Sequence, residues 1–164
     1  MRPDPDPTAT FKGTFRQEAW RRVSALTESD GITYRLWERD DFPTWSLPAL
    51  EAGKCAAYQG ETAFERLHLA LYEAFFTRGV NVAVPEELLE VVSAAGLDMD
   101  RFRADRDSGR AREEVLRDYA AARQEHQVRA IPTLVLDGGR KIVGAVPYAE
   151  YRAALEELLA TRRE

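Results

Sequence analysis

The sequence predicts a mixed α/β domain, α+β-like in layout: a run of helices, a two-stranded hairpin and one last helix. Three observations carry this. Apolar residues recur at helical spacing from Phe15 to about Gln127. From Thr133 the pattern shortens to a strand, a turn and a strand, namely Thr133 to Leu136, Asp137-Gly138-Gly139 and Lys141 to Val143. Helical spacing then returns from Tyr148 to Ala160.

Each element has its own signals. Residues 1–13 hold three prolines spaced by aspartates and show no periodicity, the pattern of a flexible leader. Thr14 with Gln17 three residues on has capping-box spacing, and Phe15, Ala19, Val23 and Leu26 make the inward stripe of a helix that Gly31 ends. Ile32 to Trp37 reads as extended until Asp40-Asp41-Phe42-Pro43 breaks it. Ser46 and Pro48 open an Ala-rich helix that reaches about Tyr58 and stops at Gly60. The next helix, from Glu61 to Arg78, carries its stripe at Phe64, Leu67, Leu71 and Phe75, with Gly79 behind it as a C-cap. Pro85 opens a helix that Gly96 stops, and Met99 to Ala104 is a short helical turn. The helix from Arg110 to about Gln127 turns Val115, Tyr119 and Ala122 inward. Leu134, Val135 and Leu136 are consecutive apolar residues, as in a strand buried on both faces.

Composition narrows the function. The 164 residues are 45% apolar and 31% charged, and the net charge of −5 favours neither nucleic acid nor a membrane surface as partner. No apolar run approaches a bilayer span, and no apolar stretch follows Met1-Arg2-Pro3 as a signal peptide requires, so a cytoplasmic location is expected. Cys55 is the only cysteine, which leaves no intrachain disulfide, no metal site of cysteines and no cofactor to expect.

Two stretches together carry a family resemblance: Gln127-Val128-Arg129-Ala130-Ile131-Pro132-Thr133-Leu134-Val135-Leu136-Asp137-Gly138, and Val143-Gly144-Ala145 followed by Tyr148 to Leu159. Their order resembles the end of DsbA-like, FrnE-type thiol–disulfide oxidoreductases of the thioredoxin-like fold. Ser46-Leu47-Pro48-Ala49, Gln59-Gly60, Leu71-Tyr72-Glu73-Ala74-Phe75-Phe76 and Gly96-Leu97-Asp98 look like that family's large helical insert. The resemblance divides the chain into an insert over residues 14–127 and a ββα part over 128–164. It implies a cis peptide bond before Pro132 and a substrate-binding loop of Ala130, Ile131, Pro132 and Thr133, whose backbone pairs with an extended polypeptide carrying thiols or disulfides. The family often has Gly where this chain has Ala130.

The family's chemistry needs a Cys-x-x-Cys at a helix N-terminus, where the dipole lowers the first thiol's pKa. Residues 1–14 contain no cysteine, so no catalytic residue is assigned and a strand–CxxC–helix–strand unit is expected to be missing. An upstream continuation of the reading frame is favoured over a degenerate relative or a unit supplied by a partner. Without that unit the first strand keeps an open edge, which suits pairing with a second copy.

Cys55 in its Ala-rich helix reads as a small buried hydrophobe. His68 and His126 have no nucleophile to serve, Trp20, Trp37 and Trp45 read as core or cleft walls, and Arg101 to Asp107 reads as a solvated face of mixed charge. Three functions follow: an oxidoreductase-like protein that is redox-inactive over these residues, a non-catalytic peptide-binding adaptor, and a relative of the glutathione-dependent isomerases.

Overall fold

Helix α1 spans Phe15–Thr27, and its start shows the local chemistry that builds the fold. The Gly13 N–H donates to Oε1 of Gln17 at 3.0 Å, so the side chain proposed for the capping box does satisfy a backbone donor just before the helix. The computed structural model describes Gly13 and residues 15–27 and 34–161; Thr14, Gly31, Ile32 and the leader lie outside the described residues, as does the Leu26 side chain. The described residues fall into two compact units that divide between Leu116 and Arg117.

The first unit is helical. Residues 34–38 follow an irregular path and form no strand, in place of the extended strand expected there. They are held by the Trp20 indole donating to Arg35 O at 3.0 Å, by Ser24 Oγ donating to Tyr34 O at 2.9 Å and by Arg35 N donating to Phe76 O at 2.8 Å. Helix α2 spans Leu47–Tyr58, with Pro48 in its first turn; Ser46 precedes it but its side chain makes no capping bond. Gly60 adopts φ 119 and opens α3, Glu61–Tyr72. At that φ any side chain would be strained.

A π-helical turn, Glu73–Thr77, continues α3. The sequence reads one regular helix to Arg78, and the extra residue in the turn is what breaks its stripe. Phe64, expected inside, is 38% exposed, whereas Leu67 is fully buried. Helix α4, Pro85–Ala94, and helix α5, Met99–Asp107, complete the layer. Asp98 caps the start of α5, accepting from the N–H groups of Asp100 and Arg101, and the helix runs a turn beyond the expected Ala104 to end at Ser108 and Gly109, which takes φ 76. Ala52, Cys55 and Ala56 of α2 form the centre of the core with Leu67, Ala74, Leu88, Val91, Val92, Leu97 and Phe102. The small α2 side chains let its neighbours approach closely, which is the packing purpose of the Ala-rich stretch.

Helix α6 spans Arg110–Gln124 and crosses the division between the units. Val115 is buried as expected, but Tyr119 is 37% exposed. In the second unit, β1 (Thr133–Val135) pairs antiparallel with β2 (Lys141–Val143) in the register Thr133–Val143, Leu134–Ile142 and Val135–Lys141. All three β1 residues are half-buried and only Leu136 beyond them is buried, so the expectation of a strand covered on both faces does not hold. Helix α7, Tyr148–Thr161, closes the unit; Tyr151 donates to Gly144 O at 3.1 Å and Arg140 pairs with Glu157 at 2.6 Å. The described residues thus combine helices with one small antiparallel sheet, a mixed α/β content dominated by helix.

Candidate peptide-binding loop

The loop between α6 and β1 is built from the helix end outward. Val128 N donates to Ala122 O at 2.8 Å, and Arg123 donates to Val128 O at 3.2 Å, which folds the chain back over the last turn of α6. Gln127 makes the reversal at φ 51, a left-handed conformation seldom taken by residues other than Gly, Asn and Asp. The Ile131–Pro132 peptide bond is cis. Thr133 Oγ1 donates to Ala130 O at 2.7 Å across the bend, and Gly144 N donates to Pro132 O at 2.8 Å, so the loop is tied to the hairpin on one side only.

The four residues singled out in the sequence therefore form one bend, but their exposure differs. Ile131 is 90% exposed and Ala130 and Pro132 are exposed, while Thr133 is half-buried with its hydroxyl engaged. Among the described residues β1 pairs with β2 alone. The 130–133 bend offers backbone and apolar side chains and no titratable group of its own.

Cys55 is fully buried in the core of the other unit. Burial, reinforced by Asp105 and Glu51, pushes its thiol up to about 11. A thiol in that setting is inert, because the thiolate is the reactive species. The full-length chain is thus expected to show no fast-reacting thiol towards an aromatic disulfide reagent when folded and one thiol in denaturant; fast modification of the native protein would contradict this.

His68 lies against Phe64 and Tyr72 in an aromatic row, and His126 is exposed beyond the end of α6. Trp37 is buried, Trp45 is half-buried, and Trp20 lines an open apolar cavity of about 400 Å³ with Phe15, Ala19, Val23, Tyr34, Phe42 and Phe76. Phe15 is 80% exposed there, so the α1 stripe read as inward faces a cavity and not a packed core. Among the described residues no group of three His, Cys, Asp or Glu side chains is placed to hold a metal ion. No described helix is long and apolar enough to cross a membrane.

A cis-proline bend before a short hairpin, fed by a helical insert, defines a member of the thioredoxin-fold class. The family model of the DSBA-like thioredoxin domain matches residues 17–156, and the chain belongs to that family. Two curated relatives are similar to it. One is the ClpXP adapter protein SpxH of Shouchella clausii (strain KSM-K16), 33% identical over 112 residues that cover 65% of this chain and 37% of the relative. The other is the ClpXP adapter protein SpxH of Bacillus subtilis (strain 168), 29% identical over 151 residues that cover 87% of this chain and 49% of the relative. The chain thus spans less than half the length of the curated relatives it matches.

Proposed function

We propose that this chain is a protein-binding adaptor module of the DsbA-like family, and that its 130–133 loop captures an extended polypeptide without thiol–disulfide exchange. The observation that carries the reading is the disposition of its single cysteine: Cys55 is sealed in the core, while the family's binding loop stands open with Ile131 at 90% exposure. One buried thiol supplies no dithiol step, so these residues support recognition. The adapter names of two relatives favour the same side, and in this reading the bound protein is passed to a ClpXP-type partner.

In this reading the backbone around Ile131 and the edge of β1 supply main-chain hydrogen bonds to the client, and the Ile131 side chain supplies apolar contact. A second copy using the same edge would compete with the client, so dimerisation and capture are mutually exclusive.

The test uses the full chain and a fluorescently labelled, permanently unfolded polypeptide with its thiols blocked. Binding is expected with and without reductant and unchanged in Cys55→Ala. Ile131→Asp is expected to weaken binding by roughly tenfold, since an exposed apolar anchor is replaced by a charge. Its thermal midpoint should not move, because the side chain is already in solvent. Absence of binding, or binding that requires an oxidised thiol, would overturn the proposal.

A further inference from the structure

From the exposed face of α2 and α3 we infer that the insert carries a second docking surface, shaped for a basic amphipathic helix of a partner protein. Phe64, His68 and Tyr72 recur every four residues along α3, so they stand in one row on the helix. Phe64 stacks on His68 at a centroid distance of 5.5 Å and His68 meets Tyr72 edge-on at 4.9 Å. The row is out in solvent: Phe64 is 38% exposed and Tyr72 53%. Beside it, α2 presents Leu50 at 43% exposure and then Gly53, whose missing Cβ would sit 3.8 Å from the Phe64 ring. The Phe64 ring therefore lies against the α2 backbone at Gly53, and Leu50 on α2 and the aromatic row on α3 both present apolar surface to solvent.

An exposed apolar row with one ring per helical turn matches the spacing of the anchors on an amphipathic helix. Charge selects among the candidate occupants. The solvent side of the row is flanked by Glu61, Glu65 and Glu73, all exposed. Glu73 reaches only Arg78, at 4.0 Å, and no ion pair holds Glu61 or Glu65 among the described residues. A second copy packed two-fold on this face would set these carboxylates against each other, and an anionic membrane would be repelled by them. A helix with apolar residues on one face and Lys or Arg along its border satisfies both features. Its cations would lie beside the carboxylates and near the faces of Phe64 and Tyr72, where the ring quadrupole attracts them.

This surface rests on the adaptor reading only in giving that adaptor a protein partner. It lies in the first compact unit, whereas the 130–133 loop lies in the second, so the two can be inactivated separately.

The experiment measures anisotropy of two labelled model helices against the full chain: one with a leucine stripe bordered by lysines, the other with glutamates in place of the lysines. The lysine helix is expected to bind and the glutamate helix not to. Tyr72→Ala is expected to weaken the lysine helix by roughly tenfold. The pair Glu61→Lys with Glu65→Lys is expected to reverse the preference between the two helices, a change that a merely destabilised protein would not produce. Ile131→Asp is expected to leave lysine-helix binding intact. Equal binding of both helices, no binding of either, binding to phosphatidylglycerol vesicles in preference to the lysine helix, or a dimer broken by Tyr72→Ala would each overturn the inference. Loss of unfolded-polypeptide capture with lysine-helix binding retained would sink the adaptor loop and leave this surface standing.

Discussion

Replacing Phe102 by alanine is expected to remove about 3–5 kcal/mol from the stability of the chain, the cost of emptying a large aromatic site that cannot collapse. Phe102 is 1% exposed and is the largest side chain among those fully buried. It belongs to the same buried core as Cys55, Ala56 and Val92, small residues on α2 and α4. These leave little freedom to fill the void. Since domains are stable by only about 5–15 kcal/mol, the loss would take a large share of the total. Urea unfolding followed by circular dichroism is the measurement, with Phe15→Ala as the comparison. Phe15 is 80% exposed, and its removal is expected to cost less than about 0.5 kcal/mol. If Phe102→Ala cost less than about 1 kcal/mol with an unchanged denaturant slope, the packing described for α5 would be wrong.

Phe102 also shows why part of the fold is hidden in the sequence. It lies in Arg101-Phe102-Arg103-Ala104-Asp105-Arg106-Asp107, where five charges surround it. Composition over that window reports a solvated face, and so it does for the side chains that surround Phe102 on the helix. One aromatic residue facing the core carries the whole contact, and a single residue has no period. The available signal for a longer helix was Gly109, which takes φ 76 just past Ser108 at the end of α5.

Where glycine or proline marks an end, the sequence is legible. Gly60, Gly79 and Gly96 all take positive φ at the ends read for α2, α3 and α4, and Pro48 and Pro85 sit in first turns. Those constraints act within a few residues and need no tertiary partner. The π-helical turn at Glu73–Thr77 is the opposite case. A regular 3.6 period turns Phe64 and Phe75 to the same inward stripe; the inserted residue rotates the end of the helix instead. Phe75 and Phe76 both then meet Trp20, at 5.1 and 5.3 Å, and the row from Phe64 to Tyr72 is left in solvent. The candidate loop was readable as far as its proline and threonine are diagnostic. What the residues alone could not supply was that Thr133 spends its hydroxyl inside the bend, on Ala130 O, and that Ile131 keeps no cover.

A second large effect is expected at Asn81, whose replacement by alanine should cost about 2 kcal/mol by removing the hydrogen bonds that its buried side chain makes to Asp41 and Ala83. Asn81 is the buried polar side chain of the first unit, at 5% exposure. Its Nδ2 donates to the Asp41 backbone carbonyl and to Asp41 Oδ2 at 3.2 Å, and its Oδ1 accepts from Ala83 N at 3.0 Å. Its own N–H donates to Glu87 Oε2 at 2.8 Å. Arg39 completes the arrangement by donating to both oxygens of Asp41, at 2.7 and 2.5 Å, and to both of Glu87, at 2.7 and 2.6 Å. Together they fasten the segment after Trp37 to the first turn of α4, where a carboxylate also complements the helix dipole. Arg39 is itself 42% exposed, so Arg39→Ala is expected to cost less than Asn81→Ala, about 1 kcal/mol.

The same four groups give this fastening a pH dependence of definite sign. The Arg39 guanidinium holds the Glu87 carboxyl below its ordinary 4.5. Burial works against ionisation of Asp41, but its bonds from Arg39 and Asn81 outweigh it, and that carboxyl is lowered as well. A carboxylate whose pKa is lower in the folded state binds its proton more readily when unfolded. Its contribution is therefore complete above the unfolded value and is lost as pH falls through the folded one. The stability difference between wild type and Glu87→Gln is expected to be constant from pH 7 to about 5 and to shrink below about 4.5, as the wild-type carboxyl takes up the proton that the amide mimics. Urea titrations of both proteins at several pH values measure it. A difference that widened in acid would mean that Glu87 is held in its neutral form in the fold, and that the Arg39 pairing does not govern it.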